Sequence, residues 1–475
     1  MKKLTLVCLL AFLFTGLGTY ADSNSNSSTE ENRKSISVTI YNGGMGLVRE
    51  TRTINLKKGI RTVRFEDVAS QIIPQTVRIK SEDPKKLTVF EQNYEYDLIS
   101  HERLMDKYIG KEVTIYRDGT EKDPGTKALL ISNNGGSPVY KIGNEISLGY
   151  YGRITVPTLP DNLFAKPTLV WKLKNEEEKE QNLEVSYQTN GLNWSADYIL
   201  VLNKEEDKSG LNSWVTLTNN SGARYKDATL QLVAGKIQLI SNQPQYAPSP
   251  KVYKRSMEME SSDVVAPEFN QENLSEYYLY TLDQPTTIGF NQTKQVQLFQ
   301  SEDVGIKKYF VFENLPMYEG NEKKFNNATV KYIFKNSKNN NLGRPLPAGT
   351  IRVFKADSKG RQQLLGEDTI DHTPDNEDVK IKTGQAFDVV ANGKRNSFEV
   401  FKISNGNKAT YSAEIRNRKK EDIEVRFYAT LYGDWTITKS SHKFTKESSS
   451  KAYSDIAIKA GETVTVEYAV ETKYW

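Results

Sequence analysis

The sequence predicts a mainly β protein. It should comprise an N-terminal β domain with a small SH3-like barrel and one short helix, then two β-sandwich modules of immunoglobulin or fibronectin type. Three observations point there. Apolar and polar residues alternate with period two, from Ile36/Val38/Ile40 to the closing run Val464/Val466/Tyr468/Val470, which marks half-buried strands. Gly, Asn, Asp and Pro clusters punctuate these runs at short, regular intervals. Mean hydropathy is −0.61, yet 10% of residues are aromatic, as expected of many short strands joined by wet loops.

The chain opens with Met1-Lys2-Lys3, an apolar run from Leu4 to Leu17, and the small-residue site Thr19-Tyr20-Ala21. This reads as a secretory signal peptide over 1–21, cleaved after Ala21, and predicts a periplasmic or secreted protein. The run is too short to span a bilayer, so no transmembrane span is expected after cleavage. Cys8, the only cysteine, lies inside it. The mature chain therefore has no disulfide, and each domain must cohere by apolar burial, at roughly 25 cal/mol per Å².

Residues 22–35, rich in Ser, Asn and Glu, predict a disordered leader. The N-terminal β domain is expected over 36–160. Asn42-Gly43-Gly44 supplies a hairpin turn, and strands follow around Val63/Phe65 and Val77/Ile79. Ser100 opens a helix from His101 to Tyr108, closed by Gly110. Five compact apolar runs between Val113 and Val156 then predict the small barrel. A first sandwich portion is expected over 165–240, with Leu183/Val185/Tyr187, Tyr198–Leu202 and Trp214–Leu217 as strands. Pro244, Pro248, Pro250 and Pro267, among Ser, Gln and Glu, predict a flexible linker or long loop over 241–276. A C-terminal sandwich region is expected over 277–475, with its second sandwich beginning near Thr329.

Lys and Arg number 64 against 60 Asp and Glu, and removal of Lys2 and Lys3 brings the signs closer still. No basic stripe is present, so nucleic acid is not an expected partner.

Two stretches carry a family resemblance. One runs from Asn190 through Trp194 and Tyr198 to Trp214–Gly222 and Asp227–Gly235. The other holds Gly366-Glu367-Asp368, Asp371-His372-Thr373-Pro374, Phe387-Asp388-Val389 and Leu431-Tyr432-Gly433-Asp434-Trp435. Together they resemble the bacterial domain of unknown function 4139 family, which includes mucoidy-inhibitor-like proteins. The likeness spans roughly Thr168 to Trp475, and Ile36 to Val156 resembles the leading half of exported members. It implies a fold and no established activity. Mucoidy inhibitors usually carry a coiled coil, and this chain lacks the apolar heptads for one.

Catalytic signatures are missing. His101-Glu102-Arg103-Leu104-Met105 has Met where a zinc helix needs its second histidine. Asn42–Arg49 clusters glycines but lacks a following helix to hold phosphate. No G-x-S-x-G elbow occurs, and the mature chain has no thiol nucleophile. Trp194, Asp197 and Tyr198 are the candidate ligand-binding residues, since aromatics beside a carboxylate can stack on sugar rings; the alternative is that both rings fill a sandwich core. No cofactor or metal is expected. Should a cation bind, its ligands would come from the acidic segment Asp371, His372, Asp375, Glu377 and Asp378, whose alternative reading is a solvated turn fixed by Thr373-Pro374. The expected function is binding or scaffolding in the cell envelope, with an envelope protein or polysaccharide as partner. The alternative is a carbohydrate-active hydrolase with an unfamiliar carboxylate pair.

Overall fold

Strand alternation dominates the computed structural model, which describes residues 25–116, 123–149, 152–160, 163–235, 237–238, 269–319, 324–401 and 405–473. The expected signal peptide and most of the expected linker over 241–276 lie outside the described residues. The chain divides into two units. The first comprises Met1–Ile36, Val48–Thr189 and Ser221–Ala223; the second comprises Ser37–Leu47, Asn190–Asn220 and Arg224–Trp475.

In the first unit, Gly59–Phe65 and Leu87–Glu95 flank Thr168–Asn175 in antiparallel register. Ser25–Ser28 adds a parallel strand to the far edge of Gly59–Phe65. This corrects the expectation of a disordered leader over 22–35. Composition alone offers Ser25–Ser28 no apolar stripe, but an open sheet edge supplies backbone partners, and Thr29 then caps the turn Glu30–Asn32. A second layer sets Lys179–Asn190 between Met45–Leu56 and Arg78–Ser81. The layers meet where the Arg52 guanidinium lies 3.6 Å above the Phe65 ring, which packs edge-on against Trp171 of its own sheet, ring centroids 5.8 Å apart.

Arg52 reaches that ring because the inward stripe of its strand reads Val48, Glu50, Arg52, Ile54, Leu56, all buried. Glu50 holds Arg52 Nη2 at 3.1 Å and Arg33 Nε at 2.7 Å, while Arg52 Nη1 donates to the Ser28 carbonyl at 2.8 Å. Burial lowers the Arg52 pKa, and Glu50 opposes that shift. The Ser25–Ser28 strand is thus fastened by a buried cation as well as by its ladder.

The helix forms over His101–Lys107, with Ser100 accepting from the Arg103 amide at 3.2 Å and Gly110 taking φ +79°. Its Met105 packs with Tyr108, Val113, Ile115, Ala128, Leu130 and Tyr140. The five expected strands are Glu112–Tyr116, Thr126–Ser132, Val139–Ile142, Glu145–Leu148 and Arg153–Thr155. The first four form a meander, and the fifth returns beside the first, the strand order of an SH3-like barrel.

The second unit departs from the expected boundaries. Leu192–Leu202 lies between Lys208–Asn219, antiparallel, and Gly349–Ala356, parallel, with Gln292–Gly305 and Gln362–Ile370 at the edges. Strands expected in separate modules, 165–240 and 277–475, therefore share one sheet. Gly349 permits this pairing, since a Cβ there would fall 2.1 Å from the Ala196 carbonyl oxygen. The opposing layer carries Tyr225–Ala234, paired with Tyr277–Leu282 and, in parallel, with Ser37–Tyr41. Phe269–Leu274 pairs with Tyr277–Leu282, so the last residues of the expected linker are a strand.

A ten-stranded sheet begins at Lys307–Phe312, earlier than the expected Thr329. Its central strands are Gly406–Asn417, Asp378–Val400, Asn326–Lys335, Lys307–Phe312 and Ile423–Thr430. Thr463–Lys473 and Lys451–Ile458 flank that row. Phe427 and Tyr468 stand on strands well separated along the path, yet their rings are 6.0 Å apart. The sheet therefore folds over on itself into two layers around one core that includes Phe310, Val389, Ile415, Phe427, Ile456 and Tyr468.

Glu206, held at φ +60° in the turn after Leu202, ties these sheets together. Its carboxylate accepts from Lys308 at 2.6 Å, Lys355 at 2.6 Å and the Tyr332 hydroxyl at 2.9 Å. Burial would raise its pKa, but hydrogen bonds from Lys308 and Lys355 hold it down to about 2, against an ordinary 4.5. A depressed carboxylate contributes stability above its unfolded pKa and loses it as pH falls through the folded value. Glu206→Gln is expected to cost roughly 2–3 kcal/mol at pH 7. In denaturant unfolding at stepped pH, the gap from the wild type should shrink between about pH 4.5 and 2. A gap that stays constant with pH would contradict this clasp.

Candidate functional site

Trp194, Asp197 and Tyr198 share one strand but not one face. The burial alternation of Leu192–Leu202 puts Trp194 and Tyr198 inward, 2% and 0% exposed, and Asp197 outward. The Tyr198 hydroxyl donates to the Pro347 carbonyl at 2.7 Å, and burial pushes its pKa well up. Trp194 Nε1 is buried with no hydrogen-bond partner among the described residues. Neither ring is available to stack on a ligand, so the core alternative for these aromatics is the observed one. Asp197 is engaged on its own face: Oδ2 accepts from Thr216 Oγ1 at 2.7 Å and Oδ1 from Arg352 Nη1 at 3.1 Å. Arg352 also reaches Glu367 at 3.1 Å.

The acidic segment is a pinned turn. Asn336, fully buried, donates from its side chain to the carbonyls of Arg344 and Pro374, both at 2.8 Å. Its backbone bonds Glu377 and Asn376, the latter at φ +67°. His372 Nδ1 accepts from the Ala348 amide at 3.1 Å, which fixes the neutral imidazole with its proton on Nε2. Burial lowers the His372 pKa, and Asp371 only partly opposes this. His372 also borders a small cavity of about 110 Å³ with Tyr278, Tyr280 and Pro345. Asp371, Asp375, Glu377 and Asp378 do not converge with it: among the described residues, no three His, Cys, Asp or Glu side chains stand close enough to hold a metal ion. The turn's geometry comes from Asn336 rather than from an ion.

A different constellation forms in the folded-over C-terminal sheet. Tyr411, Tyr428, Tyr432 and Tyr468 line a cleft of about 260 Å³ with Asn314, Leu315, Met317, Arg395, Thr430 and Leu431. Tyr411 and Tyr468 are directly paired across antiparallel strands and stack at 5.2 Å. Tyr468 is held from behind by Phe444 at 5.2 Å and Phe427 at 6.0 Å. Tyr468 and Tyr428 are largely buried and form the floor, while Tyr432 is 74% exposed. The Tyr428 hydroxyl donates to Glu447 at 3.2 Å, and the Thr430 hydroxyl to Asn314 Oδ1 at 2.9 Å.

The sequence around Tyr432 explains its exposure. Leu431 is buried and its amide donates to the Ser450 carbonyl, and buried Trp435 donates from Nε1 to the Ser449 carbonyl. With both neighbours anchored and Gly433 at φ +78°, the chain between them turns outward and lifts Tyr432 into solvent. The opposite wall is set by Gly393, which lets Met317 pair in parallel beside it; a Cβ there would fall 2.6 Å from Met317 Sδ.

A larger hollow of about 410 Å³, lined by Asn203, Lys208, Asn212, Glu302 and Asp303, offers no aromatic surface. The tyrosine cleft is the stronger candidate, since ligand sites combine apolar and aromatic walls with few polar groups. Sequence reasoning singled out Tyr432 only within the Leu431–Trp435 segment. Tyr468 read there as part of the closing strand, and Tyr411 and Tyr428 were not singled out. No protein-family model matches the chain, and no curated protein does either.

Titrating Ca²⁺ into the protein is expected to give no binding heat and no rise in unfolding temperature. An enthalpy abolished by Asp371→Asn would contradict the description of the acidic segment as a turn.

Proposed function

We propose that this protein is an exported, multidomain β-protein of the cell envelope that binds or scaffolds, and that it engages its ligand through the tyrosine cleft. The observation that carries this reading is the cleft wall: four tyrosine rings, one of them raised into solvent, with no carboxylate among the lining residues. An aromatic ring held in water gains free energy when a bound partner removes its face from solvent. Export rests on the pattern from Met1 to Ala21. No helix among the described residues is long and apolar enough to cross a membrane.

The proposal extends to membership of the domain of unknown function 4139 family, on the segments quoted above. One of them, Leu431–Trp435, contributes to the cleft. The hydrolase alternative needs two carboxyl groups facing one bond. Its leading candidate, Asp197, is tied to Arg352 and Thr216, and no carboxylate lines the tyrosine cleft, so binding is the better supported reading.

Cosedimentation of the purified chain with insoluble envelope polysaccharide tests the proposal. The protein should pellet without shortening the polymer, and Tyr432→Ala should weaken retention about tenfold, the equivalent of roughly 1.4 kcal/mol. Unfolding temperature should be unchanged, because Tyr432 is exposed. Retention unaffected by Tyr432→Ala and Tyr411→Ala would overturn the assignment of the cleft.

A further inference from the structure

The charges at the tyrosine cleft are already paired. Arg395, the one ionic residue lining it, is bonded to Glu319. Lys451 lies 5.8 Å above the Tyr428 ring and bonds Glu313 at 2.6 Å, which also holds Lys331 at 3.0 Å. Glu447 accepts from Tyr428. An acidic ligand would have to break one of these pairs or enter without a counterion, and leaving a charge desolvated and unpaired is costly.

The walls instead present the exposed Tyr432 ring, the half-buried Tyr411 ring and neutral polar groups, with Tyr428 and Tyr468 nearly covered beneath them. Thr430 uses the acceptor of Asn314, so that bond leaves the Asn314 amide donors for other partners. A pyranose ring matches this surface: its axial C–H groups make an apolar face, and its hydroxyls form a rim that seeks amide and hydroxyl partners. Size narrows the choice further. At about 260 Å³ the cleft falls just under the roughly 300–1,000 Å³ of pockets for drug-sized ligands. It accommodates a single ring rather than a run of chain.

Resting on the cleft reading above, we infer that the site takes one uncharged pyranose residue of a glycan, seated against Tyr411 and the exposed Tyr432 ring. An acidic sugar is the competing occupant that the test separates.

Calorimetric titration of the full chain with chitotriose, cellotriose, maltotriose and trigalacturonate, at low and high salt, decides it. At least one neutral trisaccharide should bind with an affinity that salt leaves unchanged. Tyr432→Ala should weaken that binding about tenfold, and Tyr432→Trp should retain it. Salt-sensitive binding of trigalacturonate alone, lost in Tyr432→Ala, would overturn the neutral-sugar inference while leaving the cleft as the binding site. Binding of no trisaccharide would overturn the inference too, and the polymer cosedimentation with Tyr432→Ala would then judge the cleft separately. Neutral-sugar binding untouched by both Tyr432→Ala and Tyr411→Ala would overturn the cleft itself.

Discussion

The contact of Tyr468 with Phe427 is the constraint on which the second unit's site depends. It joins strands that are distant along a single ten-stranded sheet, and it exists only because that sheet folds back on itself. Once Tyr468 is fixed against Phe427 and Phe444, its cross-strand partner Tyr411 is oriented by stacking, and both line the cleft with Tyr428. The binding surface is thus a consequence of closing the core. Aromatic packing that stabilises the sandwich also fixes the floor of the site, and a short anchored turn adds an exposed ring, Tyr432, on a constrained backbone.

With Cys8 its only cysteine, the chain forms no internal disulfide, and polar clasps stand at particular joints of the fold. In the first unit, Glu50 neutralises Arg33 and Arg52 inside an otherwise apolar layer, and Arg52 in turn fastens the Ser25–Ser28 strand. In the second, Glu206 gathers two lysines and a tyrosine from three different strands. Buried ion pairs add little net stability compared with apolar packing, but they strongly penalise any arrangement that separates the partners. Their place where separate strands come together suits a role in fixing which strands meet.

Much of the architecture was legible because strands with one buried face repeat every two residues. The helix over His101–Lys107 and the barrel strands between Glu112 and Thr155 followed from alternation, a Ser cap and turn glycines. Three kinds of information were not local. Ser25–Ser28 has no pattern of its own and became a strand by joining an existing edge. The parallel pairing of Leu192–Leu202 with Gly349–Ala356 links residues far apart in sequence, so module boundaries drawn from composition missed it. Exposure was the third: Trp194 and Tyr198 looked like a binding pair beside Asp197, yet period two sends Asp197 to the other face. The alternation itself contained that answer. The cleft tyrosines were harder, since three of the four sit on separate strands whose meeting depends on sheet closure.

A double-mutant cycle between Phe427 and Tyr468 tests this account most directly. Urea unfolding of Phe427→Leu, Tyr468→Leu and the double variant should give a coupling of about 1 kcal/mol, as for buried aromatic pairs in contact. Additive losses, with coupling indistinguishable from zero, would mean that the two rings do not meet, that the sheet does not close as described, and that the tyrosine cleft has no floor.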